Sequence, residues 1–476
     1  MTQPSTERRI AIIGAGFTGT MLAAHLLRLA DKPTSIHLIE RAPSVGTGLA
    51  YSTANGAHLL NVRAYNMSAY PDDPRHFLRW LWAREDGGAS IPPSGHAFVS
   101  RALYGAYIQD VLREAVAEAP ANVSLDVLQA ETVDVETDEG TADDRTGVRL
   151  RFADGSDLAA DVAVLCVGHF PPSPPALSNG TEAARAVFVS GRFVGDPWNH
   201  DAVAAIDPDA PVLILGTGLT MVDTALSLAD QGHRGPITAL SRRGLLPITH
   251  EETRPFTSFV HPDAMPRTVL DIMIALRADV RRAREAGLDW RSAFDALRPH
   301  HHRIWKHLPL EERQRFLRHA RPYWEVHRHR MAPEVAARID ALRGSGQLTI
   351  EAGRLRDLAL SPDGVAITVQ PRGAAPAWTR TVGTIVNATG TNCDYARIRH
   401  PLVRALLERG LARPDELRLG LDVTEEGALI RQDGVASDRL FALGPASRAP
   451  FWEMTAVPEL RGQCADAARH LTKTLP

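Results

Sequence analysis

Two glycine-rich turns carry the first chemistry legible in this chain. Gly14-Ala15-Gly16-Phe17-Thr18-Gly19 follows the apolar run 10–13 and opens a helical stretch that continues to Leu29. The first glycine of such a turn allows the sharp bend, the second lets backbone approach a pyrophosphate, and the third permits close packing of helix on strand. The helix N-terminus then offers free N–H donors to the phosphates. The pattern returns where residues 212–215 run into Gly216-Thr217-Gly218-Leu219-Thr220-Met221 and a helix to Ala229, with Met221 in place of the third glycine. That helix is expected to pack less closely.

The strand after each turn separates the two sites. Residues 36–39 end at Glu40, whose carboxylate can accept hydrogen bonds from ribose hydroxyls. Residues 237–240 end at Ser241-Arg242-Arg243, and a guanidinium there pairs with a 2′-phosphate instead. Gly14, Gly16, Phe17, Thr18, Gly19 and Glu40 therefore read as a site for FAD. Gly216, Gly218, Leu219, Thr220, Arg242 and Arg243 read as a site for NADPH or NADH, leaning to NADPH. The plain alternative for the two arginines is a solvated strand end.

These turns need a parallel sheet beneath them, and the remaining elements supply one. Residues 164–167 form an apolar strand ending at Gly168, followed by a proline-rich linker, and residues 384–390 repeat that arrangement up to Gly390. Residues 440–443 reach Gly444 ahead of a segment, 455–471, with helical periodicity. Pro458 suits the first turn of that helix because it needs no N–H partner. The positive helix end either faces a cofactor or simply closes the fold. The fold class is α/β, with two Rossmann-like dinucleotide-binding domains.

Residues 252–335 break the strand–helix rhythm and read as a helical insertion, with amphipathic stretches at 269–286 and 310–320. Within it, residues 324–330 place Trp324, His327 and Arg328 on one helical face, which suits either a planar anion or packing onto the core. Arg328 and Asn61 are the two weak catalytic candidates; Asn61 could equally be a turn former. His300, His301 and His302 are consecutive and cannot all face one ion, so no metal site is expected.

Composition narrows the classes further. The chain has 476 residues, 44% of them hydrophobic, and a formal charge of −3, so it is long enough for two or three packed domains and lacks a basic field for nucleic acid. Lysine occurs only at 32, 306 and 473, which leaves few carriers for Schiff-base chemistry. Cys166, Cys393 and Cys464 form no CxxC pair, which argues against a zinc ribbon or dithiol relay and suits a reducing compartment. No apolar run is long enough to span a membrane. A cytoplasmic location is expected. There is no GxSxG elbow and no Walker A lysine, so hydrolase and kinase readings fall away.

Further motifs carry a resemblance. Gly46-Thr47-Gly48-Leu49-Ala50-Tyr51-Ser52, His58-Leu59-Leu60-Asn61-Val62, Arg101-Ala102-Leu103-Tyr104-Gly105, Ser241-Arg242-Arg243-Gly244-Leu245-Leu246-Pro247 and Trp452-Glu453-Met454-Thr455-Ala456-Val457-Pro458-Glu459 stand in the chain. Together with the two glycine turns they resemble a bacterial family of FAD/NAD(P)-binding oxidoreductases that includes FAD-dependent urate hydroxylases, and the domain plan is shared by single-component amine N-hydroxylases. The resemblance implies an FAD domain in two parts, residues 1–175 and 386–476. An NAD(P)H domain at 205–385, holding the insertion 252–335, lies between them. It also implies hydride transfer from NAD(P)H to FAD, with dioxygen and a small molecule as the other substrates.

The expected reaction is hydroxylation of a small nitrogen-rich substrate, with urate to 5-hydroxyisourate as the first choice. N-hydroxylation of an amine or amino acid is the alternative, and an electron-transfer or sensor module without oxygenation is the reading of another class. Oligomeric state stays open. Two departures from the pattern stand out: His200 comes one residue late in the linker Phe193-Val194-Gly195-Asp196-Pro197-Trp198-Asn199-His200, and Gly444 is followed by Pro445 where many such proteins have aspartate. Another group must then satisfy that part of the cofactor.

Overall fold

In the computed structural model, which describes residues 7–84, 92, 94–137, 147–177, 182–261 and 265–474, two parallel-rich sheets grow from the two glycine turns. The first has the order Ala428–Ile430, Ala436–Ala442, Val162–Leu165, Arg8–Ile13, Thr34–Glu40, Val123–Gln129. All its neighbours run parallel except the first pair. Its central strands are apolar on both faces, and Ile10, Ile12, Leu38 and Val164 are buried. Phe17–Leu29 covers one face and is itself covered by the long C-terminal helix Val457–Thr474 and by Arg101–Ala117.

The second sheet has the order Trp378–Val382, Gly364–Pro371, Leu348–Ser361, Ile237–Ser241, Val212–Leu215, Thr384–Asn387, Phe193–Val194. It therefore takes in a strand at 193–194 and extends to 387. The strands Leu348–Ser361, Gly364–Pro371 and Trp378–Val382 form an antiparallel meander, which the helical rhythm of the preceding insertion does not foreshadow. A small antiparallel sheet, Thr132–Thr137, Val148–Phe152 and Asp157–Ala160, hangs from the first unit. This α/β architecture with two Rossmann-like sheets is the fold class expected.

The insertion is helical, running through Val269–Glu285, Trp290–Asp295, His301–His307, Leu310–Arg315 and Arg321–Arg328. It packs on the segment before the C-terminal helix, where Trp305, Leu419, Ala449 and Trp452 form a separate apolar cluster. The two nucleotide units meet through polar contacts on the helix Leu219–Asp230. Arg101 pairs with Asp223 at 2.9 Å, His58 Nε2 lies 2.9 Å from Ser227 Oγ, and Asn55 donates to Asp230 at 3.0 Å.

Candidate functional site

The first glycine turn is fixed by close approach. Gly14 has φ +100°, and a Cβ there would stand 2.5 Å from the Cys166 carbonyl oxygen. A Cβ on Gly19 would stand 1.9 Å from the Gly14 carbonyl oxygen, so this glycine serves helix packing and not the cleft. Glu40 holds the turn from the neighbouring strand: its carboxylate accepts from the Ala15 N–H at 2.8 Å and the Ala42 N–H at 3.0 Å.

Above this turn opens a cleft of about 390 Å³ lined by Gly14, Gly16, Phe17, Thr18, Glu40 and Gly168. From the C-terminal part of the chain Pro445, Thr455 and Leu460 join the lining. Gly168 has φ +65°, and a Cβ there would meet no protein atom within 4 Å, so the lining is left open where a cofactor needs room. The residues present fit an elongated dinucleotide. Gly444 stands behind Thr18, where its own Cβ would be 2.7 Å from Thr18 Oγ1. Its N–H donates to Gln463 Oε1 at 2.8 Å, and Gln463 Nε2 donates to Ser447 at 2.9 Å. Pro458 lies in the first turn of Val457–Thr474.

The second turn repeats the geometry. Gly216 has φ +109°, with its Cβ position 2.2 Å from the Ala388 carbonyl oxygen, while Gly218 caps Leu219–Asp230 and a side chain there would meet nothing within 4 Å. Gly390, φ +96°, is equally open, and Thr220 faces a small cavity between the two units. Met221 is fully buried in the core of its own unit. Arg242 is exposed beyond the strand Ile237–Ser241, and Arg243 sits with its guanidinium carbon 5.4 Å from the Tyr323 ring centre. Arg243 and Arg372, beside the Tyr323 phenol, hold its pKa below the usual value. Arg372 is a cation the glycine-motif reading could not reach, because it arrives from a hairpin far along the chain.

The two catalytic candidates part company. Asn61 is not in the cleft lining; its carbonyl lies 3.0 Å from His250 Nε2. Arg328 enters a nearly buried charged cluster between the insertion and the start of the C-terminal helix. Its Nε is 3.3 Å from Glu453 Oε2 and its Nη2 is 3.5 Å from Glu459 Oε1, yet neither nitrogen makes a hydrogen bond. Arg298 grips Glu459 with two hydrogen bonds of 2.8 and 3.1 Å.

Trp324 donates to Glu453 at 2.9 Å and packs against Phe294 and His301 at 4.7 and 4.8 Å, so it serves as a wall and not as an open stacking face. Burial opposes the charge on Glu453, but Arg328, His329 and His301 outweigh it and hold the carboxyl down at about 2. His169, in the cleft lining, is pushed down to about 4 by burial and by Arg448, so it is neutral near pH 7. Sequence reasoning missed Glu453, Glu459, Arg298 and His169; the Trp452–Glu459 motif was the available signal. Among the described residues no three His, Cys, Asp or Glu side chains converge as metal ligands, and no helix is long and apolar enough to cross a membrane.

With this geometry in hand, comparison with known proteins is informative. Residues 11–170 match a family model described as FAD-NAD(P)-binding. Across nearly the whole chain the fold is similar to ornithine hydroxylase from Pseudomonas aeruginosa, at TM-score 0.66 and 15% identity, covering 98% of both chains. L-lysine 6-monooxygenase from Pseudomonas syringae gives TM-score 0.65 and 15% identity, covering 98% of this chain and 99% of that one. Residues 11–170 thus carry a likeness to FAD-NAD(P)-binding proteins, and nearly the whole chain shares the two-sheet fold of these structures.

A curated relative, L-aspartate N-monooxygenase (nitrosuccinate-forming) of Streptomyces cremeus, is 28% identical over 269 residues, 49% of this chain and 38% of that protein. The chain thus spans well under two thirds of that relative's length. The expectation of a urate hydroxylase is corrected by these matches, whose names concern hydroxylation or monooxygenation of amino acids, at nitrogen in the case of the aspartate enzyme. The physical reason lies in the cluster just described: the carboxylates of Glu453 and Glu459 stand beside Arg328 and would repel the anion of a purine such as urate.

Proposed function

We propose that the protein is an NAD(P)H-driven N-hydroxylase of an amino acid or a related amine. The observation that carries this reading is Arg328, a guanidinium with two nitrogens free of hydrogen bonds, held beside the carboxylates of Glu453 and Glu459. A zwitterion matches such a site: its carboxylate accepts from the guanidinium fork, and its ammonium is drawn to the glutamates. The same C-terminal segment supplies Thr455 and Leu460 to the nucleotide cleft, so the charged cluster adjoins the cofactor site. The similarity to an aspartate N-monooxygenase supports the same class of substrate.

In this reading Gly14, Gly16, Phe17, Thr18, Glu40 and Gly168 hold FAD, with Gly19 and Gly444 keeping the helices close beneath it. Gly216, Gly218, Leu219, Thr220 and Gly390 hold the nicotinamide nucleotide, and Arg242 and Arg243 its 2′-phosphate. Bound FAD supplies hydride acceptance and activation of dioxygen. The protein's share is positioning: the start of Val457–Thr474 presents N–H donors and a positive dipole end beside the cleft. His169, kept neutral, can donate or accept a hydrogen bond there without adding charge.

The test is NADPH consumption in air by the FAD-loaded protein, with aspartate, ornithine, lysine and cadaverine supplied in turn. Acceleration by one of them, matched by an N-hydroxylated product, is the expected result. Oxidation indifferent to all four, with peroxide as the sole oxygen product, would remove the reading.

A further inference from the structure

The helical insertion frames a second, partly open cavity of about 1170 Å³ that shares no lining residue with the nucleotide cleft. One wall is the helix Val269–Glu285; the other is built from aromatic side chains, among them Trp290, Phe294, Trp305, Phe316, Trp324 and Trp452. On the helix side Leu270, Met273 and Ile274 are 64%, 40% and 55% exposed, an apolar strip that a solvated helix has no reason to show.

The charge on this cavity has one sign. Arg277, Arg281 and Arg284 follow one another along the same helix face, are exposed and line the cavity, and among the described residues no carboxylate lines it. Two of the three acids of that helix, Asp271 and Asp279, are engaged elsewhere. Asp271 accepts from the Thr268 hydroxyl at 2.6 Å, and buried Asp279 accepts from the Phe259 N–H at 2.8 Å and pairs with Arg282. At the inner wall lies His301, 6% exposed, with neither ring nitrogen hydrogen-bonded. Burial pushes its pKa down to about 3, so the ring is neutral and offers one donor and one acceptor.

We propose that this chamber binds an amphipathic organic anion, an alkyl or aryl body seated among the indoles with its acidic head held by Arg277, Arg281 and Arg284. The volume suits a drug-sized ligand with room to spare. His301 meets a polar atom at the deep end. Trp324 is a wall of this chamber and also the donor to Glu453, so an occupant would lie one side chain away from the charged cluster. The inference does not depend on the N-hydroxylation reading.

Calorimetric titration of the FAD-loaded protein tests it with decanoate, 1-decanol and decylamine, each below its micelle-forming concentration. Decanoate is expected to bind saturably and more tightly than decanol, with decylamine weakest. The double variant Arg277→Glu/Arg281→Glu should weaken decanoate about tenfold while leaving decanol within about twofold. Ile274→Asp should weaken both. All three positions are exposed and remote from the nucleotide cleft, so FAD content should stay at the wild-type level. Absence of saturable decanoate binding, or decylamine binding as tightly as decanoate, would overturn the proposal. So would a dimer that Ile274→Asp dissociates, since a second copy would then be the occupant.

Discussion

Trp324 Nε1 donates to Glu453 Oε1 at 2.9 Å across 129 positions of sequence, joining the helical insertion to the segment that opens the C-terminal helix. On one side of this bond lies the apolar chamber of the insertion; on the other lie Arg328, Glu459 and Arg298. A buried carboxylate is tolerated only where its charge and lone pairs are met, and here an indole N–H and an arginine meet them together.

Removing either partner should therefore hurt differently. Trp324→Phe keeps the ring and loses the donor, and is expected to cost about 1–3 kcal/mol of stability. Arg328→Met leaves Glu453 buried without its countercharge and should cost about 3–5 kcal/mol. Paired substitution, Arg328→Met with Glu453→Leu, should recover much of that loss in a thermal melt but none of the amino-acid-dependent turnover. Recovery of both would show that the pair is purely architectural.

The nucleotide turn gives a second test. Gly14→Ala places a Cβ 2.5 Å from the Cys166 carbonyl oxygen at a φ of +100°, so the turn must shift away from the cleft. Strain of this kind costs about 1–3 kcal/mol, and FAD retention after purification should fall well below one equivalent. Absorbance of bound flavin per protein reads this directly, and full loading would contradict the assignment of the first site.

Arg242 and Arg243 bear on coenzyme choice. Replacing both with alanine should raise the KM for NADPH by about tenfold or more and leave that for NADH within about twofold, because only the former brings a 2′-phosphate for a charge-assisted pair. Arg372→Ala should act in the same direction more weakly, through the loosened Tyr323 hydroxyl. Equal losses for both coenzymes would make these arginines a solvated strand end.

Acid should unfold the protein partly through this same cluster. His301 has its folded pKa pushed below the ordinary 6.5 to about 3 by burial, so between those values the unfolded chain binds the extra proton and stability falls as pH falls. Glu453 adds to the loss lower down: its carboxyl, held at about 2, stabilises the fold above the unfolded value of about 4.3 and loses that contribution as pH drops toward 2. Thermal melts from pH 7 to pH 4 should decline less steeply for His301→Asn than for the wild type. An unchanged slope would show that the ring is not held neutral.

Local order was legible and distant pairing was not. Gly14 and Gly216 announce themselves because a strand, a φ near +100° and a helix must follow one another within a few residues, which is a sequence pattern by nature. The place of Glu40 at the end of the second strand follows from the same unit, whereas its hold on the Ala15 N–H does not. The insertion was visible as helix by its period, but its chamber was not. The chamber depends on how Val269–Glu285 stands off from Trp305 and Trp452, and no period encodes that separation.

Arg298 and Glu459 are 161 positions apart, and such pairs leave no trace in either neighbourhood. Gln463, which satisfies Gly444, sits in an ordinary helical turn and carries no motif. The choice of urate failed for a related reason: family-level motifs report the cofactor scaffold, while substrate charge is read by side chains that meet only in the folded state.

The central claim is oxygen transfer to a substrate nitrogen, and isotope tracing tests it most directly. The FAD-loaded protein would be turned over with NADPH and the amine or amino acid that stimulates it, under heavy-isotope dioxygen, with the product analysed by mass spectrometry. The account predicts one labelled oxygen on nitrogen for each NADPH consumed. Label recovered only in peroxide or water, with the substrate unchanged, would contradict it.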